Sequence, residues 1–269
     1  MSIPIALTIA GSDSSGGAGI QADLKTFAAL GVYGASVITA LTAQNTIGVS
    51  AVCDTQPAFI TAQIDAVFSD LDIKAVKIGM VSRPQTISAV VDGLKRWKPA
   101  HVVVDPVMVA TSGDRLLAPA AIDLLRDELL PCASIATPNL PEAAALADEP
   151  IATDRASIER QALKILQLGP AAVLIKGGHG SGAESIDYLV SAEGMKAFAA
   201  PRVATKNTHG TGCSLSSAIA AGLARGFQLD EAVDRAKRYV SAAIAAADSL
   251  NVGRGNGPIH HFYALDGND

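Results

Sequence analysis

Short runs of β-branched and aliphatic residues alternate along the chain with longer Ala-rich stretches of helical period. The runs fall at 5–9, 35–41, 75–80, 101–107, 134–137 and 173–176, and most are apolar throughout rather than at every second position. That pattern predicts parallel strands covered on both faces, because a strand with one wet face alternates apolar and polar side chains. Between the runs, Ile20, Leu24, Phe27 and Leu30 repeat at helical spacing, and Gly31 ends the stripe as a C-cap. Asp230 opens a further helix, with Val233, Ala236, Val240, Ile244 and Ala247 facing inward. Two later runs, 186–190 and 195–199, flank Ser191-Ala192-Glu193-Gly194 and predict a hairpin, hence antiparallel pairing at one sheet edge. No repeat, low-complexity linker or composition break interrupts this order, so one α/β domain over 1–269 is expected. In such sheets ligands bind beyond the carboxyl ends of the strands, and the unusual residues of this chain sit there.

Composition narrows the function. Of 269 residues, 49% are hydrophobic and 17% charged, which supplies a sizeable core and excludes disorder. With 21 Lys and Arg against 26 Asp and Glu the net charge is −5, and no basic cluster offers to neutralise nucleic-acid phosphates. A mean hydropathy of +0.31 raises the question of a membrane span. The chain between Thr26 and Cys53 carries no charge, but Gly31, Gly34, Gln44, Asn45 and Gly48 break it. The opening MSIPIALTIAGSD has no basic region ahead of an apolar one, unlike a signal peptide. Cys53, Cys132 and Cys213 are odd in number and far apart, which fits neither a disulfide framework nor a zinc knuckle. A cytoplasmic protein is expected.

Five segments carry candidate chemistry. The first, Ala10-Gly-Ser-Asp-Ser-Ser-Gly-Gly-Ala-Gly19, follows the first strand. As a Walker A loop it aligns Gly11 and Gly16 but puts Gly17 and Ala18 where Lys and a hydroxyl belong. As a dinucleotide fingerprint, Gly17-x-Gly19-x-x-Ala22 starts too long after the strand, and no acid ends the second strand. What remains is either a loop whose backbone approaches a small ligand or a tight strand-to-helix turn. The second segment, Lys206-Asn-Thr-His-Gly-Thr-Gly-Cys213, runs straight into a small-residue helix. Gly210, Thr211 and Gly212 there expose unpaired N–H groups at a positive dipole end, a ready anion site. Cys213 falls in the first helical turn, where that field is expected to lower a thiol's pKa; His209 is a rival base.

The third segment is Val102-Val-Val-Asp-Pro-Val107, in which Asp105 ends a buried strand and needs an ion partner. The fourth, Thr137-Pro-Asn-Leu-Pro-Glu142, offers Asn139 and Glu142. Asp105 and Glu142 supply hard oxygens suited to Mg²⁺ held through water and phosphates, though Glu142 also suits a plain first-turn acid. The fifth, Val173-Leu-Ile-Lys-Gly-Gly-His179, closes a strand with Lys176, placed either to meet phosphate or to snorkel at an edge.

Together AGSDSSGGAGIQADLKT, the Gln44-Asn45 pair, VVVDPVMVATSG, TPNLPEA, LIKGGH and NTHGTGC resemble the ribokinase superfamily. Within it they resemble the hydroxymethylpyrimidine/phosphomethylpyrimidine kinases of thiamine biosynthesis, from Ile5 through Gly255-Asn-Gly-Pro-Ile-His-His261. Cys213 carries the narrower assignment, because most ribokinase relatives have an Asp base there. The resemblance implies a single-domain, three-layer α/β/α fold without a separate lid domain. It implies two ATP- and Mg²⁺-dependent transfers, first to the hydroxymethyl group of 4-amino-5-hydroxymethyl-2-methylpyrimidine and then to that monophosphate. It further implies that Gly11, Asp23, Gln44, Met80 and Val107 line the pyrimidine pocket. Gln44 offers a donor and an acceptor to an aminopyrimidine edge; Asp23 either pairs with the ring or is a first-turn helix acid. Gly210 to Cys213 would hold the migrating phosphoryl beside Asn139, Lys176 would neutralise it, and Cys213 would take the hydroxyl proton. A homodimer is expected on the same ground. The rival readings are a pyridoxine or pyridoxal kinase, a non-catalytic ligand-binding domain and a nicotinamide-dependent oxidoreductase.

Overall fold

The computed structural model describes residues 3–108, 119–178 and 182–265. The 109–113 portion of the VVVDPVMVATSG segment and His179 lie outside the described residues. Among the described residues nine strands form one sheet: β1 (Ile5–Asp13), β2 (Tyr33–Gln44), β3 (Val49–Asp54), β4 (Ile73–Ile78), β5 (Val102–Val104), β6 (Ile135–Ala136), β7 (Ala172–Ile175), β8 (Glu184–Ser191) and β9 (Gly194–Pro201). Their spatial order is β3-β2-β1-β4-β5-β6-β7-β8-β9. The six strands from β2 to β7 are parallel, and β8–β9 is the expected antiparallel hairpin at one edge.

Side chains alternate between the two faces and sort by size. Leu7, Ile9, Val76, Ile78, Val102 and Val104 point to one side, where α2 (Pro57–Phe68), α3 (Pro84–Trp97), α4 (Pro119–Leu124), α5 (Leu140–Ala147) and α6 (Arg155–Leu166) cover them. Ala6, Ala75, Val103, Ile135 and Ala172 face the other side, against α1 (Gly19–Ala29), α7 (Thr211–Ala224) and α8 (Leu229–Ala245). The small residues on that face let α7 lie close to the sheet, and every residue of α7 from Ser214 to Ala224 is buried. A Cβ on Gly222 would come within 2.8 Å of the Ala232 Cβ, so α7 and α8 also pack closely. Among the described residues no helix is long and apolar enough to cross a membrane.

Four expectations change. The antiparallel β3 at the opposite edge was not foreseen, because its mostly exposed residues give no apolar run. The first strand does not stop at residue 9; it continues to pair with β2 as far as Asp13, across a register shift at Gly11. The 101–107 run is strand only over Val102–Val104, since Pro106 has no N–H for a ladder and Asp105 turns into the site. α8 starts at Leu229, which puts Asp230 inside the first turn rather than at the cap. Gly31 does follow α1 with φ +72°, the left-handed geometry of a helix end.

Candidate active site

A cavity of about 730 Å³ opens over the carboxyl ends of the parallel strands. Gly11, Gln44, Met80, Val107, Asp105, Asn139, Glu142, Lys176, Gly210, Thr211, Gly212 and Cys213 all line it. Residues up to 202 positions apart in sequence thus meet because six parallel strands end on the same side.

The anion turn is built by close backbone approach. Gly210 caps α7 with φ +81°, and a Cβ there would lie 1.9 Å from the Gly17 carbonyl oxygen. The glycine-rich loop after β1 and the turn before α7 are therefore pressed together, a contact only glycine allows at this position. Likewise a Cβ on Gly11 would lie 2.4 Å from Cε of Met80, so that side chain packs directly on the loop. The chain end supports the turn: His209 N–H donates to the Gly257 carbonyl at 3.0 Å.

Behind the turn lies a chain of charges. Lys176 Nζ is 2.6 Å from Asp105 Oδ1 and 3.9 Å from Glu142 Oε2. The Thr137 hydroxyl is 3.3 Å from Asp105 Oδ1, and the Ser216 hydroxyl of α7 is 3.2 Å from Asp105 Oδ2. Burial opposes the Lys176 charge, but Asp105 and Glu142 outweigh it and hold the ammonium above its ordinary pKa. A Cβ on Gly212 would sit 3.2 Å from Lys176 Nζ, which places this cation against the anion turn. Glu142 is both a helix acid and a site acid. Its Oε2 accepts from the Asn139 N–H at 2.8 Å while Asn139 Oδ1 accepts from the Glu142 N–H at 2.9 Å, a complete capping box. Burial nevertheless pushes its carboxyl up to about 7, against the lowering by Lys176.

Two sequence-based expectations are corrected. Asp23 does not line the cavity: it is fully buried, with both oxygens 2.9 Å from Lys77 Nζ. The Thr8 and Ser217 hydroxyls each donate to it at 2.6 Å. An acid in the first turns of α1 points inward here because β4 and α7 bring a lysine and a serine to meet it. The thiol of Cys213 moves opposite to the expected direction: burial pushes it up to about 11, more than Lys77 lowers it. Desolvation in a narrow turn beats the helix field.

Other site residues escaped the sequence reading. Asp13 reaches the cavity because β1 runs longer than its apolar core, and its Oδ2 lies 2.9 Å from His209 Nε2. Lys77 lies on the cavity floor, hidden in a strand that reads as apolar. The same cavity is also lined by Ser185, Asp187, Arg202, Val203, Lys237, Val240 and Ile244. There Asp187 accepts from the Gly177 N–H at 2.8 Å and from Lys237 Nζ at 2.9 Å. An acid on one strand of a hairpin and a lysine on an inward helix stripe were the available signals, each unremarkable alone.

A large cleft with a glycine turn at a helix start, backed by a lysine between two carboxylates, suits the transfer of a phosphoryl group from one ligand to another. Fold and site together put the protein among the ribokinase-fold small-molecule kinases. Comparison with known proteins narrows the class. The sequence model of phosphomethylpyrimidine kinase matches residues 13–260. The chain is 61% identical to the hydroxymethylpyrimidine/phosphomethylpyrimidine kinase of Rhizobium meliloti (strain 1021), covering 96% of this chain and 97% of that one. The crystal structure of phosphomethylpyrimidine kinase from Clostridium difficile 630 superposes with TM-score 0.80 at 50% identity, covering 90% of this chain and 100% of that one. An ADP complex of Bacillus subtilis pyridoxal kinase superposes with TM-score 0.91 at 35% identity, covering 99% and 100%. The chain belongs to the phosphomethylpyrimidine kinase family.

Proposed function

We propose that the protein uses ATP to phosphorylate 4-amino-5-hydroxymethyl-2-methylpyrimidine and then converts the monophosphate to the diphosphate, as a step toward thiamine diphosphate. The observation that carries this reading is the 61% identity, over almost the whole of both chains, to a relative named for both activities. The pyrimidine would lie between Gly11, Gln44, Met80 and Val107, with its hydroxymethyl arm toward the Gly210–Cys213 turn. ATP would occupy the part of the cavity lined by Asp187 and Lys237 and present its terminal phosphate to the same turn.

The chain's own groups then have separate tasks. Backbone N–H groups of the turn hold the migrating phosphoryl, and Lys176, fixed by Asp105, neutralises the charge that spreads over it. Cys213, as its thiolate, takes the hydroxyl proton of the first acceptor, and because burial raises that thiol the step gains as pH rises. In the second transfer the acceptor is already an anionic phosphate, so little deprotonation is needed. Asp105 and Glu142 set two carboxylates against the one ammonium of Lys176, an excess of negative charge at a place where burial already raises the Glu142 carboxyl. A further cation beside them relieves it, so the donor set fits Mg²⁺ held by these oxygens, water and phosphates. When bound, the ion supplies neutralisation of the nucleotide phosphates.

Incubation with MgATP and the pyrimidine, followed by mass analysis, should yield monophosphate and then diphosphate. Product from pyridoxine alone would overturn the substrate assignment and favour the second reading, a pyridoxal-type kinase, which the 0.91 TM-score to such an enzyme keeps open. A cytoplasmic homodimer belongs to the same proposal. Leu41, Ile47 and Val52 are 52%, 71% and 46% exposed along the β2–β3 edge, apolar surface that a second copy would cover. A monomeric mass by light scattering would refute the dimer.

A further inference from the structure

The donors and acceptors around Gln44 constrain which way its side-chain amide points. One end of its side-chain amide, Oε1 as placed, lies 3.0 Å from the Thr42 hydroxyl, and the other end, Nε2, lies 3.3 Å from His209 Nε2. The Thr42 hydroxyl has a single hydrogen and stands 2.8 Å from the Ser12 carbonyl, which can only accept. Thr42 therefore gives its hydrogen to Ser12 and can only accept from Gln44, so the amide end facing it must be the nitrogen.

The other end gives the same answer independently. Asp13 accepts from the N–H groups of Ser15, Gly17 and Ala18 and from the Ser15 hydroxyl, which leaves it an acceptor only. His209 Nε2, 2.9 Å from Asp13 Oδ2, must then carry the hydrogen and donate it. A second N–H cannot face that donor, so the amide end beside His209 must be the oxygen, taking the minor share of a three-centre bond. With Oε1 at Thr42 and Nε2 at His209, two mismatches coexist; exchanging the ends, which have the same shape, removes both. The ring of His209 cannot swing away to relieve the conflict on one side, because a Cβ on Gly17 would already lie 2.3 Å from its Cδ2.

We propose that Asp13, His209 and Thr42 are positioning residues that fix the polarity of the Gln44 amide, leaving one N–H and one carbonyl lone pair for a ring bearing an adjacent acceptor and amino donor. The chain of donors runs from Gln44 through Thr42 to the Ser12 carbonyl, and from His209 to both Gln44 and Asp13. An N–C–NH₂ edge of a heteroaromatic ring matches the pair left over; a ring whose nitrogen and hydroxyl are separated cannot engage both groups at once. That assignment of the ring rests on the function proposed above, whereas the polarity of the amide does not.

Neutron diffraction from crystals of the ligand-free protein tests the polarity directly. Both amide deuterons should sit on the atom facing Thr42; deuterons on the atom facing His209 would overturn the inference. Kinetics test the consequence. His209→Leu should raise KM for the aminopyrimidine by about tenfold or more, with kcat and the KM for ATP changed by less than about threefold. His209→Gln, which can still donate to Asp13 and Gln44, should recover most of that loss. Should the histidine variants fail to fold, Thr42→Val against Thr42→Ser poses the same question from the other end. A fall in kcat with KM unchanged, or a glutamine variant as impaired as the leucine one, would overturn the positioning role. If the wild type turns over pyridoxine but not the pyrimidine, the proposed function fails, and the neutron result still decides the amide.

Discussion

Asp23→Asn tests most directly where a buried acid belongs in this fold. Asp23 and Lys77 are both fully buried, and each carboxylate oxygen lies 2.9 Å from the ammonium. The substitution keeps the volume but leaves the Lys77 charge without its counter-ion, and it points an amide N–H₂ at two hydroxyl donors and an ammonium. Removing one member of a buried pair costs about 3–5 kcal/mol. Set against a total stability of roughly 5–15 kcal/mol, that is a large fraction. With a urea slope of about 3 kcal/mol/M, the unfolding midpoint should fall by roughly 1–2 M. The assay is urea unfolding followed by circular dichroism, with Asp23→Leu/Lys77→Met as the paired control. The double variant should regain about half the loss or more, because no charge is left buried. In the folded fraction of Asp23→Asn, KM for the pyrimidine should change by less than about threefold. Wild-type stability together with a KM raised by about tenfold would place Asp23 at the substrate and refute the structural role.

Cys213→Ala should slow the first transfer by about 100-fold while slowing the second by less than about tenfold, measured separately with the alcohol and its monophosphate. With the thiol pushed up to about 11, the wild-type first transfer should climb about tenfold per pH unit through the alkaline range, and a plateau by neutral pH would point to another base. Glu142 has a folded pKa raised from 4.5 to about 7, so the native state holds an extra proton between those values. Stability is therefore fully present below about 4.5 and is lost as pH rises through about 7; Glu142→Gln should flatten that slope in urea midpoints taken across the range. Gly210→Ala, with φ +81° and a Cβ 1.9 Å from the Gly17 oxygen, should cut kcat/KM by about 100-fold or more, and wild-type turnover would show that the turn relaxes freely.

The sequence alone determined the architecture and most of the address of the site. Six largely apolar runs separated by helical stripes dictate a parallel sheet covered on both faces, because burial on both sides disfavours polar alternation. Glycines at 210 and 212 ahead of an Ala-rich helix, and Asp105 and Lys176 at strand ends, mark the cleft because such residues are costly anywhere else. Pairings between distant residues were settled only by the tertiary structure. Asp23 finds Lys77 and Ser217, 54 and 194 positions away, and so turns from ligand candidate to buried anchor. Asp13 meets His209 across 196 positions because β1 extends past its apolar run to the cavity. The β3 edge strand carries too little burial to imprint a pattern, and its place comes from the register of β2. The shift of Cys213 likewise depends on how tightly its turn is enclosed. Periodicity is a local property and survives in the sequence; desolvation and charge pairing depend on which elements the fold brings together.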